Sequence, residues 1–310
     1  MPVLKLDSLH ETLIKALDFF AVNRPPRIDL NYFKFPLIIG SGNGYNVARI
    51  LFANQAAIFA NESNLKQMIK SEIPVILERK MINEVLVVSA SGEKDSIWEL
   101  KLAKKFGLKT ILFTCSPNSG AAKIAAEVFA FRKLPEPYTY NVSTYLGMLL
   151  GATNEDPLLI RQFLKQLDAK LPKNFGGYQA YSFILPDDFD TICPMIDIKK
   201  SELFGAKLAI RAFSFGEARH AKFVIRDKDE LVISFGKNEY FGIPENRLEI
   251  DLPAEIAGGL LVSAVYYLIG LIQESKPPYY KQNIAKYCSL YGYQAYGKEQ
   301  KPFEIIVPGN

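Results

Sequence analysis

Two short segments of the chain carry the residue types that hold an anion. Ser89-Ala90-Ser91-Gly92-Glu93-Lys94-Asp95-Ser96 gathers three hydroxyls and a lysine where a buried apolar run gives way to a helical pattern. Hydroxyls and backbone N–H groups suit a phosphate, and Lys94 adds a cation. The same residues also read as a helix cap, with Ser91 capping and Lys94 solvated, and the two uses are compatible. Gly40-Ser41-Gly42-Asn43-Gly44 follows another apolar run, FPLIIG, and precedes the helical pattern YNVARILFA. Glycines let backbone approach a ligand, and a helix start offers unpaired N–H groups to an anion. A sharp turn with no ligand is the competing reading. The spacing is not the dinucleotide fingerprint, because Val47 stands where the last glycine belongs, and it is not a Walker loop.

The elements that must position these loops follow from periodicity. Residues 4–22 are apolar at helical spacing, with Asp7 or Ser8 as a cap, and Arg24-Pro25-Pro26 ends the pattern. Strands are expected at FPLIIG, AAIFANE, INEVLVVSASG, LKTILFTCS and AEVFAFRK. Helices are expected between them, including a helix start at NSGAAKIAA. Strands rich in Val, Ile and Phe alternating with helices of about a dozen residues mean a parallel sheet covered on both faces. Helices over 139–152 and 156–169 lead to the punctuation LPKNFGG, where a domain boundary is expected, giving domains 1–172 and 173–310. The second half offers strands at AYSFILP, KLAIRAFSFGEARH, KDELVISFG and NRLEIDLP, a helix around 195–204, the helix AGGLLVSAVYYLIGLIQES and a tyrosine-rich tail. The fold class is therefore α/β, two doubly wound domains.

Composition removes several function classes. The 37 Lys and Arg against 33 Asp and Glu give a net +4, dispersed along the chain, which argues against nucleic acid. No run of 18 apolar residues lacks a charge or breaker, and no signal-peptide core opens the chain, so no membrane partner and a cytoplasmic location are expected. Three distant cysteines without a C-x-x-C pair disfavour a disulfide framework, and only two histidines exclude a multi-histidine metal site. Cys115 lies at a strand end with no adjacent histidine to make it a nucleophile. Trp98 and its apolar neighbours read as core, and the tyrosines at 279, 280, 287, 291, 293 and 296 as packing or a subunit interface.

The order G-S-G-N-G, then S-A-S-G-E, in an α/β domain of this size resembles the sugar isomerase (SIS) domain, whose S-x-S-G-x-T loop holds the phosphate of phosphosugars. The resemblance extends over nearly the whole chain. Ser201-Glu202-Leu203, then a strand, then Gly216-Glu217-Ala218-Arg219-His220, looks like the second SIS domain of the isomerase module of glucosamine-6-phosphate synthase and of the bifunctional phosphoglucose/phosphomannose isomerases. The chain departs from the pattern at Gly44, where the family usually has Ser or Thr, at Lys94, where it usually has Thr, and at Ala221-Lys222, where it has Gly-Pro.

The resemblance implies a phosphosugar aldose–ketose isomerase acting on a hexose 6-phosphate, with no cofactor and no metal. Glu202 would be the base and His220, eighteen positions later, the ring opener. A histidine pKa near neutrality suits ring opening, and a shielded carboxylate suits proton transfer through an enediol. Gly40, Ser41, Gly42, Asn43, Ser89, Ser91, Gly92 and Lys94 would bind the phosphate end. Asn141 and Ser143 would contact the sugar, and Lys298 or Lys301 would reach the site from the tail. Glu217 is a rival base, and Arg211 and Arg219 lie on a solvated face or bind phosphate. Relatives generally form homodimers, and in several of them the histidine comes from the neighbouring subunit. The same groups would serve an amino-sugar phosphate deaminase or deglycase, and a non-catalytic sugar-phosphate sensor is the third reading.

Overall fold

The computed structural model describes residues 4–79 and 81–310. The chain forms two compact units. The first comprises Asn23–Lys133, Thr144–Asn154 and Asn310; the second comprises the chain up to Val22, Leu134–Ser143 and Glu155–Gly309. A cut at residue 172 separates the two sheets in sequence, but the units interleave. The N-terminal helix α1 (Leu9–Val22) belongs with the second sheet. Ser8 starts it: its N–H and hydroxyl both donate to Glu11 Oε2, at 2.6 and 2.8 Å.

The first unit holds a five-stranded, all-parallel sheet. Its strands are β1 (Leu37–Gly40), β2 (Ile58–Ala60), β3 (Glu84–Val88), β4 (Lys109–Thr114) and β5 (Glu127–Ala130), in the spatial order β2-β1-β3-β4-β5. α2 (Asn43–Leu51) joins β1 to β2, α3 (Leu65–Ser71) and α4 (Ile73–Glu78) join β2 to β3, and α5 (Asp95–Lys105) joins β3 to β4. β1 is buried along its length and β3 from Val85 to Val88, which is why their sequences read as unbroken apolar runs. The helix start expected at Asn118 is absent. Residues 116–126 form successive turns, with Ser119 N–H donating to Ser116 and Ile124 N–H to Ala121. Strand order reverses between β1 and β3, and ligands of doubly wound sheets bind in the crevice at such a reversal, at the carboxyl ends of the strands.

After β5 the chain makes β6 (Glu136–Pro137), α6 (Val142–Thr153) and α7 (Pro157–Asp168). α6 starts three residues later than expected, because Thr139 (φ 73°) and Asn141 (φ 51°) take left-handed backbone conformations. The second unit repeats the pattern with β7 (Ala180–Leu185), α8 (Cys193–Leu203), β8 (Ala209–Ser214), α9 (Phe215–Ala218), β9 (Glu230–Phe235) and β10 (Arg247–Ile250). All four strands are parallel in the order β8-β7-β9-β10, matching the first four strands of the first sheet. α10 (Gly258–Ser275) is long and apolar enough to cross a bilayer, but 83% of it is buried inside the protein, so it is a core helix. α1 packs along it, and His10 lies where a side chain on Gly270 would be, 2.2 Å from its backbone N. Glu155 caps α10, accepting N–H bonds from Ala257, Gly259 and Leu260 at 3.2, 2.8 and 2.9 Å. α11 (Tyr279–Lys286) follows, and β11 (Ile306–Val307) pairs antiparallel with β6. Cys115, Cys193 and Cys288 form no disulfide.

Candidate functional site

At the strand-order reversal of the first sheet, β1 and β3 each run into a loop and a helix. Gly40 and Gly44 are there because the chain folds tightly on itself. A side chain on Gly40 would lie 2.7 Å from Tyr45 N, and one on Gly44 would lie 2.6 Å from the carbonyl oxygen of Val88. The first turn of α2 thus rests directly on the end of β3, leaving no space for a serine or threonine at position 44. Gly42 enters α2 with φ 52° and ψ −123°; Lys94 enters α5 with φ 58° and ψ −121°. The two helices therefore begin from the same backbone conformation, held once by glycine and once by lysine, and the lysine is strained by about 1–3 kcal/mol.

Neither helix start has a side-chain cap. Within these first turns Gly44 N–H donates to the Ser41 carbonyl at 3.0 Å and Ile97 N–H to the Lys94 carbonyl at 3.3 Å; the other first N–H groups meet no capping side chain. Ser41 Oγ and Asn43 Oδ1 are buried without a protein partner. Ser91 does not cap α5, since the cap position is Lys94. Its hydroxyl accepts only a 3.4 Å bond from Glu93 N–H, while Ser89 Oγ accepts from Gly92 N–H at 3.2 Å. Glu93 Oε1 accepts from Gly120 N–H at 2.8 Å, tying the second loop to the turn after β4. Partial burial lowers the Lys94 ammonium pKa, with Asp95 opposing. Chemically, this edge is a set of backbone donors, hydroxyls and one cation suited to an anion.

The second unit builds a different chemical group around Glu202, on the last turn of α8. Lys199, three residues earlier, has a side chain 0% exposed, and its Nζ lies 2.6 Å from Glu202 Oε2. The same ammonium donates to the Thr139 carbonyl at 2.6 Å and faces the Tyr266 ring at 5.4 Å. Asn141 Nδ2 donates to that carbonyl too, at 3.1 Å. An ammonium so held fixes the direction of the carboxylate it pairs with. Glu202 stands on the wall of a cavity of about 560 Å³, shared with Leu203, Phe204, Tyr279, Tyr287 and Tyr291. The Lys199–Glu202 pair goes beyond the sequence expectations, and Tyr279, Tyr287 and Tyr291, expected to pack, line this cavity. The available signal was the three-residue spacing, which puts both side chains on one helix face.

No protein-family model and no curated protein sequence matches the chain. Solved structures do. The C-terminal domain of glucosamine-fructose-6-phosphate aminotransferase from Francisella tularensis superposes with a TM-score of 0.58 at 15% identity, over 86% of this chain and 93% of that one. Tagatose-6-phosphate ketose/aldose isomerase from Escherichia coli gives 0.54 at 12% identity, over 87% and 92%. Glucosamine-6-phosphate deaminase from Thermotoga maritima gives 0.52 at 14%, over 86% and 91%. The fold is the SIS fold. The two parallel sheets flanked by helices are thus the SIS pair that the sequence resemblance implied.

The remaining residues singled out from the SIS pattern fall as follows. His220 is exposed on the turn after α9 and is not on the wall of the Glu202 cavity. Glu217 is engaged in a capping box, exchanging hydrogen bonds with Ser214 at the start of α9. It also helps burial push the Cys193 thiol up to about 12. The Arg211 side chain is 39% exposed and is held by its neighbours. It spans three strands, donating to Ser182 Oγ at 3.1 Å, to Glu230 Oε1 at 2.6 Å and to the Lys222 carbonyl at 3.0 Å. Ser143 is 0% exposed; its hydroxyl accepts from Leu134 N–H at 3.0 Å and its own N–H donates to Glu136. Arg219, Lys298 and Lys301 are exposed.

Proposed function

We propose that the protein is a phosphosugar aldose–ketose isomerase acting on a hexose 6-phosphate of the glucose, mannose or fructose type. The observation that carries this is the pair of uncapped helix starts at the first sheet's reversal, ringed by Ser41, Ser89, Ser91 and Lys94. The reading is supported by the likeness to the tagatose-6-phosphate ketose/aldose isomerase and to the C-terminal domain of glucosamine-fructose-6-phosphate aminotransferase.

In this reading the Gly40–Asn43 and Ser89–Lys94 loops take the phosphate, with Gly42 and Gly92 giving backbone access. Glu202 removes the proton from C2 of the open-chain aldose and returns it to C1, through an enediol. The buried Lys199 holds it as a carboxylate pointed one way. Asn141 meets a sugar hydroxyl, while Ser143 serves the turn at Leu134. His220 opens the ring. Its exposure, together with that of Val224 (78%) and Ile225 (81%) just beyond it, suits a histidine lent to a second copy in a homodimer. One proton leaves C2 and one, exchangeable with solvent while on the base, is added at C1, so the sugar's overall oxidation level is unchanged and no redox cofactor is required.

The test is solvent exchange. Hexose and hexosamine 6-phosphates incubated in deuterated water are expected to take up deuterium at C2 by NMR, and Glu202→Gln to lose roughly 10²–10⁴-fold of that rate. Ammonia release from a hexosamine would make the protein a deaminase with the same base. Binding without exchange would make it a sensor.

A further inference from the structure

We infer that Asn310 is a positioning residue for the Ser89–Lys94 loop, holding the loop in place for a phosphate from well outside it in sequence. This rests on the function proposed above. Asn310, Cys115, Phe131, Lys133 and the loop all belong to the first unit. The Asn310 side chain is used at both ends. Its Nδ2 donates to the carbonyl of Cys115, just past β4, and to that of Phe131, just past β5, the latter at 3.1 Å. Its Oδ1 accepts from Lys133 N–H at 2.7 Å, and its own backbone N–H donates to the Lys133 carbonyl at 3.2 Å. With the amide turned over, its oxygen would face two carbonyls and its NH2 a backbone N–H, so one orientation alone satisfies these partners. The side chain thus clamps the ends of β4 and β5 together, one residue beyond Thr114 and Ala130, their last register pair.

The clamp reaches the loop through Cys115. Cys115 N–H donates to the Ala90 carbonyl at 2.9 Å, and Thr114 Oγ1 donates to the same oxygen at 3.1 Å. The turn that follows adds further ties: Ala121 N–H donates to the Gly92 carbonyl at 2.9 Å and Gly120 N–H to Glu93 Oε1 at 2.8 Å. Gly92 is also pressed against Ser119, whose Oγ would lie 2.0 Å from a side chain there. Ala90, Gly92 and Glu93 are therefore all fixed from one segment, residues 114–121, and Asn310 fixes that segment at its root. Donors aimed at an anion depend on such supporting contacts, since a misplacement of about 1 Å costs on the order of a hundredfold.

The experiment compares Asn310→Ala with Ser182→Ala. Asn310 keeps an exposed side, so its truncation spares the core. Ser182 lies in the second unit, where its buried hydroxyl donates to Glu230 Oε1 at 2.5 Å, so its loss lowers stability from outside the first sheet. Glucose 6-phosphate and inorganic phosphate are titrated by calorimetry, and amide hydrogen exchange is followed by mass spectrometry. Asn310→Ala should weaken both ligands about tenfold and speed exchange over residues 89–94 about tenfold, with residues 180–185 at the wild-type rate. Ser182→Ala should lower the melting temperature and leave both affinities within about twofold. Asn310→Ala affinities within twofold of wild type overturn the inference alone. Exchange that accelerates equally over 180–185 also overturns it, because the loss is then one of general stability. Failure of the wild type to bind either ligand overturns the sugar-phosphate reading, and the inference with it.

Discussion

The two sheets share a strand order but not a chemistry at their carboxyl edges. In the first, β1 and β3 run into Gly40-Ser41-Gly42-Asn43 and Ser89-Ala90-Ser91-Gly92, and the helix starts that follow carry no cap. In the second, β7 runs into Pro186-Asp187-Asp188-Phe189-Asp190, and Asp187 Oδ1 accepts the Gly216 N–H of α9 at 2.5 Å. Glu217 and Ser214 close the rest of that helix start between them. The topology offers a ligand crevice twice. At the first edge both helix starts lack a side-chain cap; at the second, Asp187, Glu217 and Ser214 close the start of α9, while α8, which follows β7, has none. A repeated fold therefore does not repeat its edge chemistry; the side chains at the strand ends decide.

The acids of the two units differ as well, and this gives the largest expected effect. Glu99 of α5 is 1% exposed, and burial, then the charges of Asp95 and Glu62, push its pKa up to about 8. Unfolded, the group titrates near 4.5. Its contribution is fully present below that value and is lost as pH rises through about 8. Urea denaturation at pH 6 and pH 9 should show a loss of up to about 3 kcal/mol that Glu99→Gln removes. An unchanged pH dependence in that variant would mean that Glu99 is ionised in place.

Next in size, Ser91→Asp gives the first edge the character of the second. Affinity for a hexose 6-phosphate, measured by calorimetry, should fall roughly a hundredfold from like-charge repulsion. Lys94→Gly separates strain from function: relief of the left-handed conformation should raise stability by about 1 kcal/mol, while phosphosugar affinity drops about tenfold. If affinity is unchanged, the lysine is only a strained turn residue. Smallest is Asp187→Asn at the second edge, expected to leave phosphosugar affinity within about twofold and to cost about 1 kcal/mol in stability by thermal melt. A large loss of affinity there would break the contrast between the edges.

The strands of both sheets and the two glycine- and serine-bearing loops were legible because they depend on local pattern: unbroken apolar runs, then glycines and hydroxyls. What escaped depends on distant partners. α1 follows a readable helical pattern, yet nothing in it says that it packs on α10, more than 200 positions away in sequence. The late start of α6 reflects left-handed turns at Thr139 and Asn141, whose shared carbonyl anchor is Lys199, sixty residues on. Lys199 itself looks like any solvated helix lysine until the fold buries it. Ser143 and Arg211 have the chemistry of ligand contacts, but backbone groups and neighbouring strands use it up.

The short pairing of Ile306 with Pro137 and of Val307 with Glu136 has a reach beyond its size. Phe303 stacks on Tyr138 at 4.8 Å, and the next residue, Thr139, is the one that Lys199 grips. The far end of the polypeptide is thereby stitched to the rung on which the Lys199–Glu202 pair leans. A protease nick after position 300 would loosen the aim of Glu202.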